Sequence, residues 1–349
     1  MATTSALPDL PAGDEPDGTE RPEALTVIEP GVQTTVQDYP GRRGLQAKGF
    51  FPAGPVDHLA FRVANLLVGN APGAAGLEIP MGRFKARLGF AGVIALTGAD
   101  GAKPTLNGEP LPLWEAVRVA PGDILACGIA KGPGFRLYLA VSGGIDVPEV
   151  LGSRATYTMG GLGGLDGRAL ARGDRLHLAP EGVGRTRRLR LPQSLCPGYV
   201  NDWEIEVMRG PHADPDFLTP DDWRDFCSLS WKVDLNSNRV GTRLNSHRFT
   251  WARKNGGAGG GHPSNQLDGS YPLGGINTNG DVPVILGPDG PTSGGFTTIA
   301  TVVHAALWKV GQLRPGRDTI RFREVDFDEA TALSKHIQYL LDPTHLEEL

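Results

Sequence analysis

Ala116-Val-Arg-Val-Ala-Pro-Gly-Asp-Ile-Leu-Ala-Cys127 carries the reading of the fold. Two short aliphatic runs flank Pro121-Gly-Asp123, where proline presets one backbone angle and glycine supplies the positive φ of a tight turn. The same turn-then-strand unit recurs at Arg172-Gly-Asp174 before Leu176 and at Pro315-Gly-Arg317 before Ile320. Further runs of strand character are Leu25-Thr-Val-Ile28, Val93-Ile-Ala-Leu-Thr97, Phe135-Arg-Leu-Tyr-Leu-Ala-Val141, Trp203-Glu-Ile-Glu-Val-Met208, Trp231-Lys-Val-Asp-Leu235 and Pro283-Val-Ile-Leu286. Such punctuation predicts a mainly β protein of antiparallel barrels or sandwiches rather than alternating βαβ units.

Helices are few. One is predicted over 55–69, with Pro55 at its first helical position and Gly69 just past its end. A second starts at Thr219-Pro-Asp-Asp222, a third spans 299–313, and a peripheral fourth covers about 326–341. The basic, proline-bounded segment 185–192 reads as a link between a first β-rich subdomain, 25–192, and a second, 193–324.

Charge is unevenly placed. The chain has 34 Lys and Arg against 39 Asp and Glu, a net of −5. Residues 1–24 hold −5 and residues 325–349 hold another −5, so the body between carries +5. That body suits anionic partners or substrates but is far too weakly basic for a nucleic-acid binder. The first 24 residues combine acids with Pro8, Pro11, Pro16 and Pro22 and read as a disordered tail. No apolar run is long enough to span a membrane, and the N-terminus lacks a secretory pattern. Three scattered cysteines, Cys127, Cys196 and Cys227, point to a reducing cytoplasm and to buried filler rather than disulfides.

Glycine is the other excess, with 49 residues. Five polar, glycine-rich loops fall within about 60 residues: Asn236-Ser-Asn-Arg-Val-Gly-Thr-Arg243, Gly256-Gly-Ala-Gly-Gly-Gly-His-Pro-Ser-Asn265, Gly274-Gly-Ile-Asn277, Gly287-Pro-Asp-Gly290 and Thr292-Ser-Gly-Gly-Phe296. Each reads either as a tight turn or as part of a pocket whose backbone donors stabilise an oxyanion. Phosphate-loop, dinucleotide and nucleophile-elbow patterns are missing. Eight histidines show no metal-type pairing. His58 and His304 read as structural or surface residues, whereas His262, among glycines and near Asn265, is a functional candidate.

Taken in order, several motifs resemble the carboxyltransferase domain of urea carboxylase. They are Glu29-Pro-Gly-Val-Gln-Thr-Thr-Val-Gln-Asp-Tyr-Pro-Gly41, Pro52-Ala-Gly-Pro-Val-Asp57, Leu96-Thr-Gly-Ala-Asp100, Leu151-Gly-Ser-Arg154, Asn236-Ser-Asn-Arg239, His262-Pro-Ser-Asn265 and Pro283-Val-Ile-Leu-Gly-Pro-Asp-Gly-Pro291. The wider family includes allophanate hydrolase subunit 2 and the third subunit of 5-oxoprolinase. Two departures stand out: Ala53-Gly-Pro-Val56 where the family has Ser-Gly-Pro-Met, and Asn277-Thr-Asn-Gly-Asp281 in place of an Asn/Asp-Phe-Thr-Gly-Asp run.

The resemblance implies two cyclophilin-like barrels and a subunit that moves CO2 from carboxybiotin to a nitrogen of urea or a related amide or guanidine. Biotin would arrive on a separate carrier charged by an ATP-using biotin carboxylase, and a second carboxyltransferase-type subunit would complete the site. Arg239, Asn277 and Asn265, with backbone amides near Gly274, Gly275, Gly294 and Gly295, are the implied oxyanion donors. Asp289 would orient substrate N–H groups, or simply stabilise a turn. His262 and Asp57 are further binding candidates, although Asp57, placed at the third helical position, also suits the helix N-terminus. The rival readings are a 5-oxoprolinase subunit and a regulatory partner-binding protein.

Overall fold

A computed structural model describes residues 22–179 and 184–349. The chain is mainly β, with three sheets and, among the described residues, four α-helices: α1 His58–Leu67, α2 Pro220–Ser228, α3 Leu307–Gln312 and α4 Phe327–Leu340. The expected tail over 1–24 lies outside the described residues as far as position 21, and Glu23 already opens the first strand.

Pro121-Gly-Asp123 turns the chain as the sequence suggests, but it does not close a hairpin. Glu115–Val119 pairs with Gly92–Gly98, whereas Ile124–Ile129 pairs with Gly82–Leu88 in a different sheet. Gly122, at φ +96°, therefore carries the chain from one sheet to the other. The first body is these two seven-stranded sheets packed on one core, with Leu25, Phe84 and Leu125 from one and Leu77, Leu96 and Leu139 from the other.

Burial along the strands shows which sheet is central. Gly82–Leu88 alternates, with Phe84, Ala86 and Leu88 inside and Arg83 and Arg87 in solvent. Arg136–Val141 is buried throughout. Leu137, Leu139 and Val141 face the inter-sheet core, while Tyr138 and Ala140 face a third layer formed by α1 and the inner face of α4. Burying a side chain such as Phe61 of α1 in that layer contributes roughly 1.5–3 kcal/mol.

The second body is one eight-stranded sheet around an aromatic core of Trp203, Trp223, Phe226, Trp231 and Phe322. Phe226 and Phe322 stack with centroids 4.5 Å apart. Among the described strand pairs, Asp202–Arg209 beside Thr319–Glu324 is parallel and the others are antiparallel.

Several sequence expectations change. Residues 299–302 end the long strand Ser293–Val302, and helix α3 begins only at Leu307. The run Thr297-Thr-Ile-Ala-Thr-Val302 is rich in β-branched residues, which favour a strand. Asp57 is the N-cap of α1, its carboxylate accepting from the Ala60 amide, so the helix starts later than Pro55. Of 231–235, only Trp231–Lys232 is strand. Thr219 caps α2 and Asp326 caps α4, each in a capping box. Helix α4 is not peripheral, because Ile337 and Leu340 are buried against the first body.

The basic link contributes Leu189–Arg190 to the second sheet, where it meets Glu347–Glu348. Arg190–Glu347 at 2.6 Å and Arg187–Glu348 at 3.2 Å thus join the basic link to the acidic end. Among the described residues, no helix is long and apolar enough to cross a membrane.

Candidate functional site

The two bodies meet at a buried cluster of charges. Arg239, 3% exposed, sends Nη1 to Glu78 Oε1 at 2.7 Å across the seam. Its Nε and Nη2 donate to the two oxygens of Asp289 at 2.9 and 2.8 Å, and Nη2 also donates to the Gly54 carbonyl at 2.8 Å. Glu78 and Asp289 are 0% and 1% exposed. Burial alone would raise the Glu78 carboxyl, yet the charges of Arg239 and Arg136 hold it below the usual range.

Glu78 passes the arrangement on to the 52–57 loop. Its Oε2 accepts from the Val56 amide at 2.8 Å and from the Tyr138 hydroxyl at 3.0 Å, while that hydroxyl accepts from the Asp57 amide at 2.8 Å. The Asp57 carboxylate accepts from Ala60 N at 2.9 Å and from Gln312 Nε2, on α3, at 2.8 Å. Burial pushes Asp57 up to about 7 despite those hydrogen bonds. The loop is further pinned by Ala53 N to Pro288 O at 2.8 Å and Gly54 N to Gln37 Oε1 at 3.0 Å. Ala53 itself sits at φ +55°, a conformation L-residues seldom adopt.

Beside this loop lies a cavity of about 350 Å³ between the bodies. Tyr39, Arg42, Arg43, Ala53 and His58 line it from the first body, and Leu286, Pro288, His304 and Leu307 from the second. Among the described residues, no carboxylate lines it. Two glycines let the walls close: a Cβ on Gly41 would stand 2.3 Å from Pro52 O, and one on Gly287 2.1 Å from Arg239 O.

Arg42 is fully buried; Nε donates to Val150 O at 3.0 Å and Nη2 to Ala155 O at 2.6 Å. His58 stacks on His304 with centroids 4.9 Å apart, and its Nε2 donates to the His304 carbonyl at 3.2 Å. Burial, with the neighbouring His304, pushes His58 down to about 3, so its ring is neutral.

The residues singled out from sequence fall in three places. Arg239, Asp289 and Asp57 join the seam network. Asn277 lines a separate cavity of about 310 Å³ with Asn236, Arg243 and Tyr271, its Oδ1 accepting from Thr298 Oγ1 at 3.0 Å. His262 and Asn265 form a third cluster. There, His262 Nδ1 meets Ser264 Oγ at 3.0 Å, its ring lies edge-on to Trp251, and Asn265 Nδ2 donates to Gly260 O at 3.3 Å.

The glycine amides differ from the donor role expected of them. Gly274 N donates to Leu286 O and Gly275 N to Pro272 O, both at 2.9 Å, so both are engaged inside the protein. Gly294 and Gly295 belong to the strand Ser293–Val302, with Gly294 opposite Gly269, rather than to an open loop. Sequence reasoning missed Glu78, Tyr138, Gln312 and Arg42, and it read His58 and His304 alike as structural or surface residues. One signal was present: Glu78 is an acid inside the otherwise apolar strand Gly76–Pro80.

The family pattern of the carboxyltransferase domain, subdomain A and B, matches residues 48–324, and the chain belongs to that family. Urea amidolyase of Saccharomyces cerevisiae is 43% identical over 319 residues, covering 90% of this chain but 17% of its own length. A 5-oxoprolinase subunit of Escherichia coli is 34% identical over 312 residues, 88% of this chain and 93% of that protein. Among solved structures, Kluyveromyces lactis urea carboxylase superposes with a TM-score of 0.84 at 41% identity, over 95% of this chain and 30% of that one. The chain thus spans less than a fifth of the yeast amidolyase it matches.

Proposed function

We propose that the chain is the carboxyltransferase component of a biotin-dependent system that carboxylates a nitrogen of urea or a related small amide or guanidine, with the seam cavity as the acceptor site. The carrying observation is the cavity itself. It lies between the bodies, beside a loop fixed from both, with Arg42 and Arg43 in its wall and, among the described residues, no carboxylate to repel developing negative charge. Buried, preorganised donors of this kind stabilise an oxyanion far better than solvent does. Carboxybiotin, brought by a carrier protein that a partner charges with ATP, would supply the carboxyl group. The residues present fit that chemistry, because two cationic side chains, Arg42 and Arg43, line the cavity.

In this reading Arg239 and Asp289 are positioning residues. Arg239 occupies both Asp289 oxygens, and together with Glu78 they hold the 52–57 loop at the cavity wall. Asn277, His262 and Asn265 lie on the second body, where a second carboxyltransferase-type subunit and the carrier would approach. The chain alone would be inactive. A second reading, a component of an ATP-dependent 5-oxoprolinase, is favoured by the near end-to-end match to the Escherichia coli protein.

The test is co-assembly with the second subunit and a biotin carboxylase, with ATP turnover measured separately on urea, guanidine and 5-oxoproline. Stimulation by urea or guanidine is expected. Stimulation by 5-oxoproline alone would replace the first reading with the second.

A further inference from the structure

The acidic end of the chain is anchored on both bodies. Residues 325–349 lie beyond the matched family pattern and leave the eight-stranded sheet after Glu324. Ala330 and Leu333 of α4 pack against the aromatic core of the second body. Further along, Ile337, Leu340 and Leu341 are buried in the apolar layer over the first body. The tip, Glu347–Glu348, then pairs with Leu189–Arg190 at the edge of the second sheet.

Middle and tip hold by different means. At the tip, Arg190–Glu347 and Arg187–Glu348 stand in solvent, where ion pairs are weak and screened by salt. In the middle, Ile337 and Leu340 are all but excluded from water, so apolar burial does the holding.

What the middle rests on gives the segment a task. Ile337 and Leu340 line a groove of about 430 Å³ together with Leu59 of α1 and Ala305. Helix α4 also packs on the short turn His304–Ala306. Leu59 and Ala305 each follow a histidine directly, and those two, His58 and His304, stack and line the seam cavity. The stack joins α1 of the first body to a turn of the second. Its histidines border the cavity, and their apolar neighbours border the groove beside α4.

Resting on the functional reading above, we propose that the segment 325–349 is a brace for the seam cavity. Ile337 and Leu340 are positioning residues that hold His58 against His304 and so set the shape of the acceptor wall. The tip guides the segment to its place and is dispensable once the middle is buried.

The test is the pH titration of the His58 ring, followed by NMR in the chain carrying 15N-labelled histidine. The parent is compared with the double variant Ile337→Ala, Leu340→Ala. In the parent, burial, with the neighbouring His304, pushes His58 down to about 3. The charged and titratable groups that act on it, His304 and Arg62, are kept in the variant, as are Glu206, Lys309 and His336 around the groove. A loosened wall lets water reach the ring, and its proton affinity is expected to rise about tenfold or more. A chain that is merely less stable melts earlier but titrates as before while folded. Where the double variant does not melt cooperatively, Leu340→Ala alone is read in the same way. Arg190→Ala is expected to leave the titration unmoved.

An unmoved His58 in a folded variant overturns the proposal. So does Arg190→Ala if it moves His58 as far as the double variant, because the tip would then do the holding. The titration needs no partner chain or substrate, so the two readings fail separately. A moved His58 in a chain whose assembled complex turns over none of the substrates keeps the brace and sinks the reaction. An unmoved His58 in a complex active on urea does the opposite.

Discussion

The seam and the His262 loop are both polar, both glycine-assisted and both prominent in the sequence, yet they are built on different physics. At the seam, Arg239, Glu78 and Asp289 are all but excluded from solvent, and every carboxylate oxygen in the cluster has a named partner. In the loop, His262 is part-exposed, rests on its own neighbour Ser264, and has Asp281 at 3.8 Å. Burial makes the first arrangement all-or-none, because removing one charge strands another. Exposure makes the second tolerant, because water replaces what is lost. Local sequence advertises the second kind and hides the first.

Glu78→Ala should break the seam most severely. It strands Arg239 beside a single remaining carboxylate and frees Val56 N and Tyr138 OH. Loss of one partner from a buried ion cluster costs about 3–5 kcal/mol. Denaturant unfolding measures it, and a loss below about 1 kcal/mol would mean the seam is no more than a surface contact. Arg190→Ala, at the exposed Arg190–Glu347 pair, is the internal control and should cost no more than about 1 kcal/mol.

A second test uses pH. Asp57 is raised from an ordinary 3.8 to about 7, chiefly by burial. Between those values the unfolded chain has released the proton and the folded chain keeps it, so stability falls as pH rises and levels off above about 7. The full drop is of order 4 kcal/mol at about 1.4 kcal/mol per unit. Asp57→Asn keeps a capping oxygen for Ala60 and should flatten the curve between pH 4 and 7. An unchanged slope in that variant would assign the effect elsewhere.

Gly287→Ala comes next. Its Cβ would meet the Arg239 carbonyl at 2.1 Å, in the segment whose Pro288 carbonyl holds Ala53. Overpacking of this kind costs about 1–3 kcal/mol. Turnover of the assembled complex should fall more than that stability loss explains, because the cavity wall moves.

How much of this was legible in the sequence follows from separation along the chain. The turn at Gly122 and the helix start at Thr219 are local patterns, and they were readable. That Glu115–Val119 and Ile124–Ile129 lie in different sheets was not, since neither strand carries a mark of its partner. The helix expected over 299–313 shows the same limit: apolar residues at 303, 307 and 310 have helical spacing, but the β-branched run before them obeys the sheet. At the site, Arg239 and Asp289 stood in recognisable motifs. Glu78, 161 positions from Arg239, could be seen only as an acid misplaced in an apolar strand. Glycine misled at both positions, because Gly287 serves close packing of backbone on backbone while Gly274 holds a φ of +78° against the Leu307 side chain, and no ligand is needed to explain either.

The smallest expected effect sharpens the comparison most. His262→Ala removes the contacts of a part-exposed ring to two buried neighbours, the Ser264 hydroxyl and the Trp251 ring edge. Ser264 keeps its hydroxyl for Gly280 N at 3.1 Å, so the loop retains an anchor. Stability should change by no more than about 1 kcal/mol. Turnover of the assembled complex should stay within a few-fold, because His262 does not line the seam cavity. A loss of a hundredfold with stability intact would invert the comparison. The exposed loop would then hold the chemistry, and the buried seam would be its scaffold.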